Sequence, residues 1–413
     1  MSRARAADWL TAGEALAAIL RGVRPLGAEE RPLAEALGSV LAEDVVSPVD
    51  LPPWDNSGMD GFAVRADDVR GAAPGRPREL RVVDDVPAGR FAGRAVGPGE
   101  AIRVMTGAPV PAGADGVVRV EHTDGGSGIG TEAGRVAVFS DEDAGRNVRP
   151  RGEDVRAGTV VLPAGRVLRA PELAVAAAVG RARLSVVRRP RVAVLASGDE
   201  LVEVEDFEAV RAGRKIVSSN GYALAAQLAE SGLEALSLGI AADDPASLRA
   251  HLERARGCDA LVTTAGVSVG EHDHVLRVMG ELDAEVAFWR VKVRPGSALA
   301  FGRVGALGGI PWFGLPGNPV STLVGFELFV RPALLRMCGR TRVFSPTIEV
   351  TMRDAYPAKG ELTHFPRVRL QREADGGTSA FLTGAQGSGV ATSMAAADAL
   401  LVVPPGEGAR PGD

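Results

Sequence analysis

Strand and helix patterns alternate from Arg191 to Met337, and this rhythm is the feature that most restricts the fold. Short apolar runs typical of buried strands are each followed by an amphipathic stretch typical of a helix. The predicted strands are Val192–Ala196, Leu236–Ile240 and Leu261–Thr264, and the predicted helices are Gly221–Glu230 (capped by Asn220), Pro245–Ala255 and His274–Leu282. Repeated strand–helix units predict a mostly parallel sheet with helices on both faces, whose ligands bind at the carboxyl ends of the strands.

The loop that follows Leu261–Thr264 is a candidate anion site. It contains only small residues, Ala265–Gly270, and a new helix begins near Glu271 and Asp273. Glycines let a backbone approach a ligand closely, and free N–H groups at a helix start favour negative charge. A tight turn between strand and helix explains the same residues, so the loop alone leaves both interpretations open.

Further strands are predicted at Val286–Val293, Leu299–Phe301 and Trp312–Gly314, followed by a long apolar helix from about Val320 to Met337. Within the first of these strands, Arg290, Lys292 and Arg294 alternate, which predicts that all three point to one face. Three cations on one face repel one another unless an anion joins them, so this pattern favours an anion site. The Pro316–Asn318 turn heads the long helix and is a second candidate contact for an anion.

The segments before and after this strand–helix region show different sequence patterns. A capping box, Thr11 to Glu14, starts an N-terminal helix, and short strands divided by Gly, Pro and Asp between Phe62 and Ser140 predict a small β module inserted into a helical domain. Strand patterns return after Arg340, and the residues from Pro404 look like a disordered tail.

Composition excludes several classes of protein. The formal net charge of −5 argues against a nucleic-acid binder, and the two distant cysteines, Cys258 and Cys338, argue against a zinc site or a disulfide scaffold. The N-terminus lacks the apolar core of a signal peptide, and no long uncharged apolar run is present. We therefore expect a cytoplasmic protein.

Five further stretches carry a specific resemblance. They read PPWDNSGMDGFA (52–63), MTGAPVP (105–111), GRNVRPRGED (145–154), SGDEL (197–201) and LPGNPVS (315–321). Together with the Ala265–Gly270 loop they closely resemble the molybdopterin molybdenumtransferases, known as MoeA, to which the E domain of gephyrin is related. The resemblance runs from about Trp9 to Pro405.

The resemblance implies an architecture. We expect an α/β multidomain protein in which a three-layer αβα, doubly wound domain (189–340) binds molybdopterin. A discontinuous helical domain (1–48 and 149–188) would carry the inserted β-rich domain (49–148), and a C-terminal β-barrel-like domain (341–405) would precede a tail (406–413).

It also implies a reaction, namely the Mg²⁺-dependent insertion of molybdate into adenylated molybdopterin with release of AMP, in molybdenum cofactor biosynthesis. The implied assembly is a homodimer in which DNSGMDG is offered to the partner's site, and a molybdopterin adenylyltransferase is a candidate partner. No membrane or nucleic-acid partner is implied.

Site residues follow from the same resemblance. The implied catalytic residues are Asp60, Asp154, Glu200, Asp243, Asp273, Arg290 and Arg294, with Asp243 and Asp273 as metal ligands. The implied substrate-binding residues are Thr106, Ser219, Gly266, Val267, Ser268, Gly270, Pro316, Gly317, Asn318, Arg367 and Ser388.

Two departures from the family pattern leave other functions open. Thr264-Ala265-Gly266 replaces the usual SGG, and Pro295-Gly296-Ser297-Ala298 replaces the usual PGKP, which removes a cation. A glycine replaced by Ala265 matters if that position needs a positive φ. The alternatives are a catalytically impaired molybdopterin-binding carrier or sensor, and a gephyrin-like scaffold.

Overall fold

A computed structural model of the chain describes residues 9–128, 134–266, 274–358 and 360–413. The chain divides into two compact units. The larger unit comprises Met1–Ala42, Gly165–Arg169 and Arg183–Asp413, and the smaller unit comprises Glu43–Ala164 and Ala170–Ala182. Among the helices that the structure describes, none combines the length and the apolar character needed to cross a membrane.

The helices lie close to the predicted ones, with small shifts at their ends. They are α1 Ala12–Gly22, α2 Ala66–Val69, α3 Ala170–Ala178, α4 Phe207–Arg211, α5 Ser219–Glu230, α6 Pro245–Glu253, α7 His274–Glu281, α8 Pro319–Gly325, α9 Arg331–Met337 and α10 Ala391–Ala395. A π-helical turn, Phe326–Val330, joins α8 to α9, so the predicted long helix is confirmed.

The strands are mostly short. Those before Ala170 are β1 Ala28–Pro32, β2 Val45–Val46, β3 Asn56–Ser57, β4 Gly61–Val64, β5 Arg78–Val86, β6 Glu100–Val104, β7 Gly116–Arg119, β8 Arg135–Val138, β9 Val148–Arg149 and β10 Val160–Leu162. Those after it are β11 Arg183–Val187, β12 Arg191–Ser197, β13 Leu201–Val202, β14 Ile216–Val217, β15 Glu234–Ala241, β16 Ala260–Thr264, β17 Ala284–Trp289, β18 Val293–Arg294, β19 Ala300–Val304, β20 Ile310–Leu315, β21 Thr351–Met352, β22 Thr363–His364, β23 Arg367–Arg372, β24 Thr378–Leu382 and β25 Ala399–Leu400.

A six-stranded sheet in the order β15-β12-β16-β20-β19-β17 organises the larger unit. The first four strands are mutually parallel, whereas β19 runs antiparallel to both β20 and β17. Alternate residues of β12 enter two separate apolar clusters. Val192 and Val194 pack with Leu224 of α5 and Val320 of α8, while Leu195 packs with Leu248 of α6 and Val275 of α7. The predicted parallel sheet is thus confirmed for four strands, and apolar burial on both faces stabilises it.

Two predicted details of this sheet are wrong. Asn220 does not cap α5, because the helix already begins at Ser219 and the Asn220 side chain donates to the Gly317 carbonyl oxygen at 2.7 Å. The predicted strand Val286–Val293 ends at Trp289, because Arg290 adopts a left-handed φ of 80° that cannot continue a strand. Arg290, Lys292 and Arg294 therefore do not share the face of one strand.

The C-terminal residues form a second, four-stranded sheet in the order β21-β24-β23-β25. Met352, Val368 and Ala380 form its core. The predicted disordered tail is wrong. The Tyr356 and Ala409 backbones exchange hydrogen bonds of 2.8 and 2.9 Å, and the Met352 N–H donates to the Asp413 carbonyl oxygen at 2.8 Å. These backbone bonds tie the last residues to the edge of the sheet.

The smaller unit contains the predicted β module. Five strands pair in the order β7-β4-β6-β5-β8. The apolar residues Phe62, Val82 and Val118 form part of its core. Two motif segments meet outside this sheet, because Asn56 pairs with Arg149 and the Asp55 carboxylate accepts from the Arg151 N–H at 2.7 Å. The PPWDNSGMDG and RPRGED segments are therefore held together by backbone and carboxylate hydrogen bonds.

Removal of residues 406–413 tests the ordered tail. We expect hydrogen exchange at the Met352 and Tyr356 amides to accelerate at least about tenfold, because both donate to carbonyl oxygens of the removed segment. The control is the Leu370 amide in the same sheet, which donates to the Asp398 carboxylate and should keep its protection. Unchanged exchange at Met352 and Tyr356 would contradict the ordered arrangement.

Candidate functional site

Four loops meet at one edge of the six-stranded sheet. Because β15, β12, β16 and β20 are parallel neighbours, their carboxyl ends lie side by side. The loops that follow them carry Asp243, the Asp199–Glu200 pair, Ala265–Gly266 and Pro316–Asn318. The edge thus collects acidic residues at one side and a glycine-containing turn and an amide at the other.

The two acidic loops are locked to each other. The Asp243 N–H donates to the Asp199 carboxylate at 3.1 Å, and the Asp199 N–H donates to the Asp243 carboxylate at 3.4 Å. Each carboxylate keeps most of its acceptor capacity, and both residues are exposed. Asp199 was missed as a site residue, although its position directly after a buried strand, in SGDEL, was the signal that could have found it.

Asp244, the residue after Asp243, has a structural role. The Asp244 carboxylate accepts hydrogen bonds from the Ala246 and Ser247 N–H groups at 2.9 and 3.0 Å and so caps α6. The cap of α6 is therefore Asp244 and not Asp243. Because the cap uses Asp244, the Asp243 carboxylate remains available to a ligand.

Glu200 lies against a glycine whose backbone conformation disfavours other residues. Gly198 has a φ of 151°, and a Cβ there would come within 2.6 Å of the Glu200 Oε2. On the other side of this loop, the Lys215 ammonium donates to the Asp199 carbonyl oxygen. The loop is therefore held by short-range contacts that leave Glu200 exposed.

Asp243 and Asp199 are the acidic pair that the described residues offer to a metal. No group of three or more His, Cys, Asp or Glu side chains within the described ranges could hold a metal ion. Mg²⁺, however, is usually bound by one or two carboxylates together with substrate phosphates and water. An exposed, oxygen-only pair fits that requirement. Asp273, the other predicted ligand, lies outside the described residues.

The loop after β16 turns through two left-handed residues. Ala265 and Gly266 both have a φ of 68°, and the Ala265 N–H donates to the Leu315 carbonyl oxygen at 3.1 Å. A Cβ at Gly317 would lie 3.3 Å from the Ala265 Cβ, so the loops after β16 and β20 pass close to each other. Three predicted substrate-binding residues of this loop, Val267, Ser268 and Gly270, lie outside the described residues.

The Pro316–Asn318 turn is joined to a loop of the C-terminal segment. The Asn318 amide donates to the Ser388 hydroxyl at 3.1 Å, and the Val320 N–H donates to the Ser388 carbonyl oxygen at 3.1 Å. Ser219 begins α5 and is exposed, and its neighbour Asn220 holds the Gly317 carbonyl oxygen. The predicted residues Ser219, Pro316, Gly317, Asn318 and Ser388 thus lie in one connected region.

A polar pocket of about 350 Å³ opens beside this turn. Pro316, Asn318 and Ser388 line it together with Arg294 and Ser297. Arg294 is exposed, and its guanidinium forms no ion pair or hydrogen bond with any residue that the structure describes. A pocket with hydroxyl and amide groups and one unpaired guanidinium suits an anion with several oxygen atoms.

Arg367, in contrast, is used within the protein. It is 1% exposed, and its guanidinium donates to the Ser393 hydroxyl at 3.0 Å and to carbonyl oxygens of residues 385–387 at 3.1–3.3 Å. Burial lowers the pKa of the Arg367 guanidinium. Two residues of the segment it holds, Gln386 and Gly387, line the pocket. The structure therefore places Arg367 behind the pocket wall, where it supports the loop that carries Ser388.

The other predicted cations of this region differ in their partners. The Lys292 ammonium pairs with the Glu361 carboxylate at 2.9 Å. The Arg290 guanidinium contacts the indole rings of Trp9 and Trp289. Only Arg290 and Arg294, of the three cations, thus keep their N–H donors free of partners among the described residues.

The remaining predicted residues belong to the smaller unit. The Asp60 carboxylate accepts from the Thr106 N–H at 2.7 Å and from the Thr106 hydroxyl at 2.8 Å, and these bonds hold the pKa of Asp60 below its usual value. Asp154 is exposed, and its N–H donates to the Leu51 carbonyl oxygen at 3.0 Å. Asp60 and Thr106 therefore form one local pair, and Asp154 anchors the RGED turn to the Pro52 segment.

Comparison with known proteins decides the family. Residues 10–180 match the MoeA N-terminal region (domain I and II), residues 193–336 a probable molybdopterin binding domain, and residues 349–413 the MoeA C-terminal region (domain IV). Molybdopterin molybdenumtransferase 2 of Mycobacterium tuberculosis is 39% identical over 365 residues, which cover 87% of this chain and 86% of the relative. The chain belongs to the molybdopterin molybdenumtransferase family.

Two further matches support the same assignment. The molybdopterin molybdenumtransferase of Staphylococcus aureus is 36% identical over 375 residues, covering 91% of this chain and 86% of the relative. The crystal structure of a molybdopterin biosynthesis MoeA protein from Pyrococcus horikoshii OT3 superposes with a TM-score of 0.81 at 30% identity, over 98% of both chains. Membership of the MoeA family makes the chain a transferase of molybdenum cofactor biosynthesis with a MoeA-like multidomain fold, and confirms the motif resemblance.

Ala265 allows a test of backbone strain in the loop after β16. Ala265→Gly should raise the free energy of unfolding by about 1 kcal/mol, because a left-handed φ strains every residue that carries a Cβ. The measurement is denaturant unfolding.

The matched control is Ala225→Gly, on the exposed side of α5, which should lower the same free energy by about 1 kcal/mol because glycine weakens helices. If both variants lost equal amounts of unfolding free energy, Ala265 would not be strained.

Proposed function

We propose that the chain inserts molybdenum from molybdate into adenylated molybdopterin and releases AMP, in a Mg²⁺-dependent reaction. The observation that carries this proposal is the shared edge at which Asp243 and Asp199, the Ala265–Gly266 turn and the Pro316–Asn318 turn meet beside the Arg294 pocket. The names of the relatives support molybdopterin as the substrate.

The reactants carry several negative charges, and the two sides of the edge suit different parts of them. The Arg294 pocket offers a bidentate guanidinium with hydroxyl and amide donors from Ser297, Ser388 and Asn318, which suits oxyanions such as molybdate or a phosphate group. The small residues of the β16 loop give a pterin or phosphate close access to the backbone. Arg290 would add a second guanidinium.

The acidic side of the edge suits a divalent ion. Asp243 and Asp273 would hold Mg²⁺, which, when bound, would neutralise phosphate charge and polarise the phosphoanhydride that is cleaved. Asp199 would fix the Asp243 loop through the 3.1 Å bond to its N–H. Glu200, exposed in the adjacent loop, would orient water or a substrate hydroxyl near these groups.

The proposal extends to architecture and assembly. The separate apolar clusters on the two faces of the six-stranded sheet support a three-layer, doubly wound domain at 189–340. We propose the remaining domain limits as stated from the sequence, a barrel-like C-terminal domain, a cytoplasmic location and a homodimer. In that dimer Asp60, Thr106 and Asp154 would serve the partner's site, and an adenylyltransferase would supply the substrate.

A carrier function is the second candidate, and the left-handed Ala265 is the observation that favours it. Strain in the loop and the absence of a cation at Ser297 could leave binding intact while turnover is lost. Purified protein should release AMP from adenylated molybdopterin when molybdate and Mg²⁺ are added. Tight pterin binding without AMP release would favour the carrier.

Neighbouring aspartates allow a matched test of the proposed metal role. Asp243→Asn should abolish Mg²⁺-dependent AMP release while leaving thermal stability unchanged, because an amide binds Mg²⁺ far more weakly than a carboxylate. Asp244→Asn should keep both activity and stability, since asparagine caps helices as well as aspartate. Unchanged Mg²⁺ dependence in Asp243→Asn would remove Asp243 from the metal site.

A further inference from the structure

The Arg290 guanidinium is in contact with two indole rings. Its central carbon lies 4.9 Å from the centre of the Trp289 ring and 5.0 Å from the centre of the Trp9 ring. These distances are within the range of cation–π attraction. Arg290 is also one of four non-glycine residues with positive φ in the described part of the chain, so its backbone turns away from β17 at this point.

These aromatic contacts leave the hydrogen-bond donors of Arg290 unused. Among the described residues, no carboxylate or carbonyl oxygen accepts from its guanidinium, although the side chain is half-buried. Structural arginines of the same unit behave differently. Arg188 binds the Asp259 carboxylate through two bonds of 2.7 and 2.8 Å, and Arg367 fills its donors with loop oxygens. Arg290 is therefore held by two aromatic rings, and no described oxygen occupies its N–H donors.

Trp9 is fixed beside Arg290 by the backbone around it. The next residue, Leu10, forms a bridge with Val291, and its carbonyl oxygen accepts from the Lys292 N–H at 2.8 Å. Thr11 then starts α1 with a capping box, in which the Thr11 N–H donates to the Glu14 carboxylate at 2.8 Å. The start of α1 is thus attached directly to the segment that follows Arg290.

We propose that Trp9 and Trp289 are positioning residues that orient the Arg290 guanidinium for edge-on binding of an oxyanion, a role that rests on the proposed function. A planar guanidinium can offer two parallel N–H groups to two oxygens of one anion, provided that its plane is fixed. The indoles fix that plane without consuming a donor, which a carboxylate partner could not do. The oxyanion is either the molybdate dianion or the phosphate of the nucleotide.

The test is a double-mutant cycle on anion binding by the full-length chain. Titration calorimetry would measure molybdate alone and AMP alone against the wild type, Trp9→Leu, Trp9→Phe, Arg290→Gln and the Trp9→Leu/Arg290→Gln double variant. We expect Trp9→Leu to weaken one of the two anions about 2- to 30-fold, the loss of one cation–π contact. Trp9→Phe should retain most of the affinity because it keeps an aromatic face.

The decisive comparison is the effect of Trp9→Leu in the Arg290→Gln background. If Trp9 acts through Arg290, adding Trp9→Leu to Arg290→Gln should change the affinity for the anion less than twofold. The proposal would be overturned if Trp9→Leu lowered the anion affinity equally in both backgrounds, or if Trp9→Phe and Trp9→Leu lowered it equally. A wild type that binds neither anion would also overturn it. Melting temperatures show whether Trp9→Leu is folded, and Trp9→Phe decides the matter if it is not.

Measuring both anion binding and AMP release distinguishes a failure of this proposal from a failure of the proposed function. A wild type that binds an anion with the expected coupling, yet releases no AMP, would overturn the proposed transferase reaction and support the role of the tryptophans. A wild type that releases AMP while the cycle shows no coupling between Trp9 and Arg290 would overturn only the role of the tryptophans.

Discussion

Parallel pairing of β15, β12, β16 and β20 is the constraint on which the rest of the larger unit depends. Because hydrogen bonding fixes these strands in one direction, every loop that leaves them at the carboxyl end must emerge at the same edge. Asp243, Asp199 and Gly266 lie far apart in the sequence and meet only for this reason. The antiparallel β19 extends the same edge, because its first residue, Ala300, pairs with Gly314 near the end of β20. The loop carrying Arg294 and Ser297 therefore joins the site.

The arginines around this edge are of two kinds. Arg188 and Arg367 fill their donors within the protein and fasten, respectively, the entry to β12 and the loop that carries Ser388. Arg290 and Arg294 keep their donors free of partners among the described residues. A guanidinium whose donors have no protein partner can bind an oxyanion through two parallel N–H groups.

Periodicity predicted the regular elements well, because hydrophobic repeats report which face of an element is buried. The parallel strands, α6, α7 and the β module follow directly from it. The strand through Arg290 could not be predicted in this way, since alternation of charged residues looks the same whether or not one residue turns left-handed. The C-terminal tail was misjudged for a related reason. Its order depends on backbone bonds to Met352 and Tyr356, and backbone bonds leave no trace in side-chain composition.

The site residues also differ in whether a local sequence pattern or a long-range contact identifies them. Asp243 was predicted from the motif resemblance. Asp199 was missed, although it too follows a buried strand, and its reciprocal bonds with Asp243 join the two loops. Trp9 lies 280 positions before Trp289, and no local pattern connects it with Arg290. Left-handed backbone at both Ala265 and Arg290 costs folding free energy, and such strain persists only where surrounding contacts enforce it. The Ala265 N–H bond to Leu315 and the bridge from Leu10 to Val291 are contacts that hold these two turns.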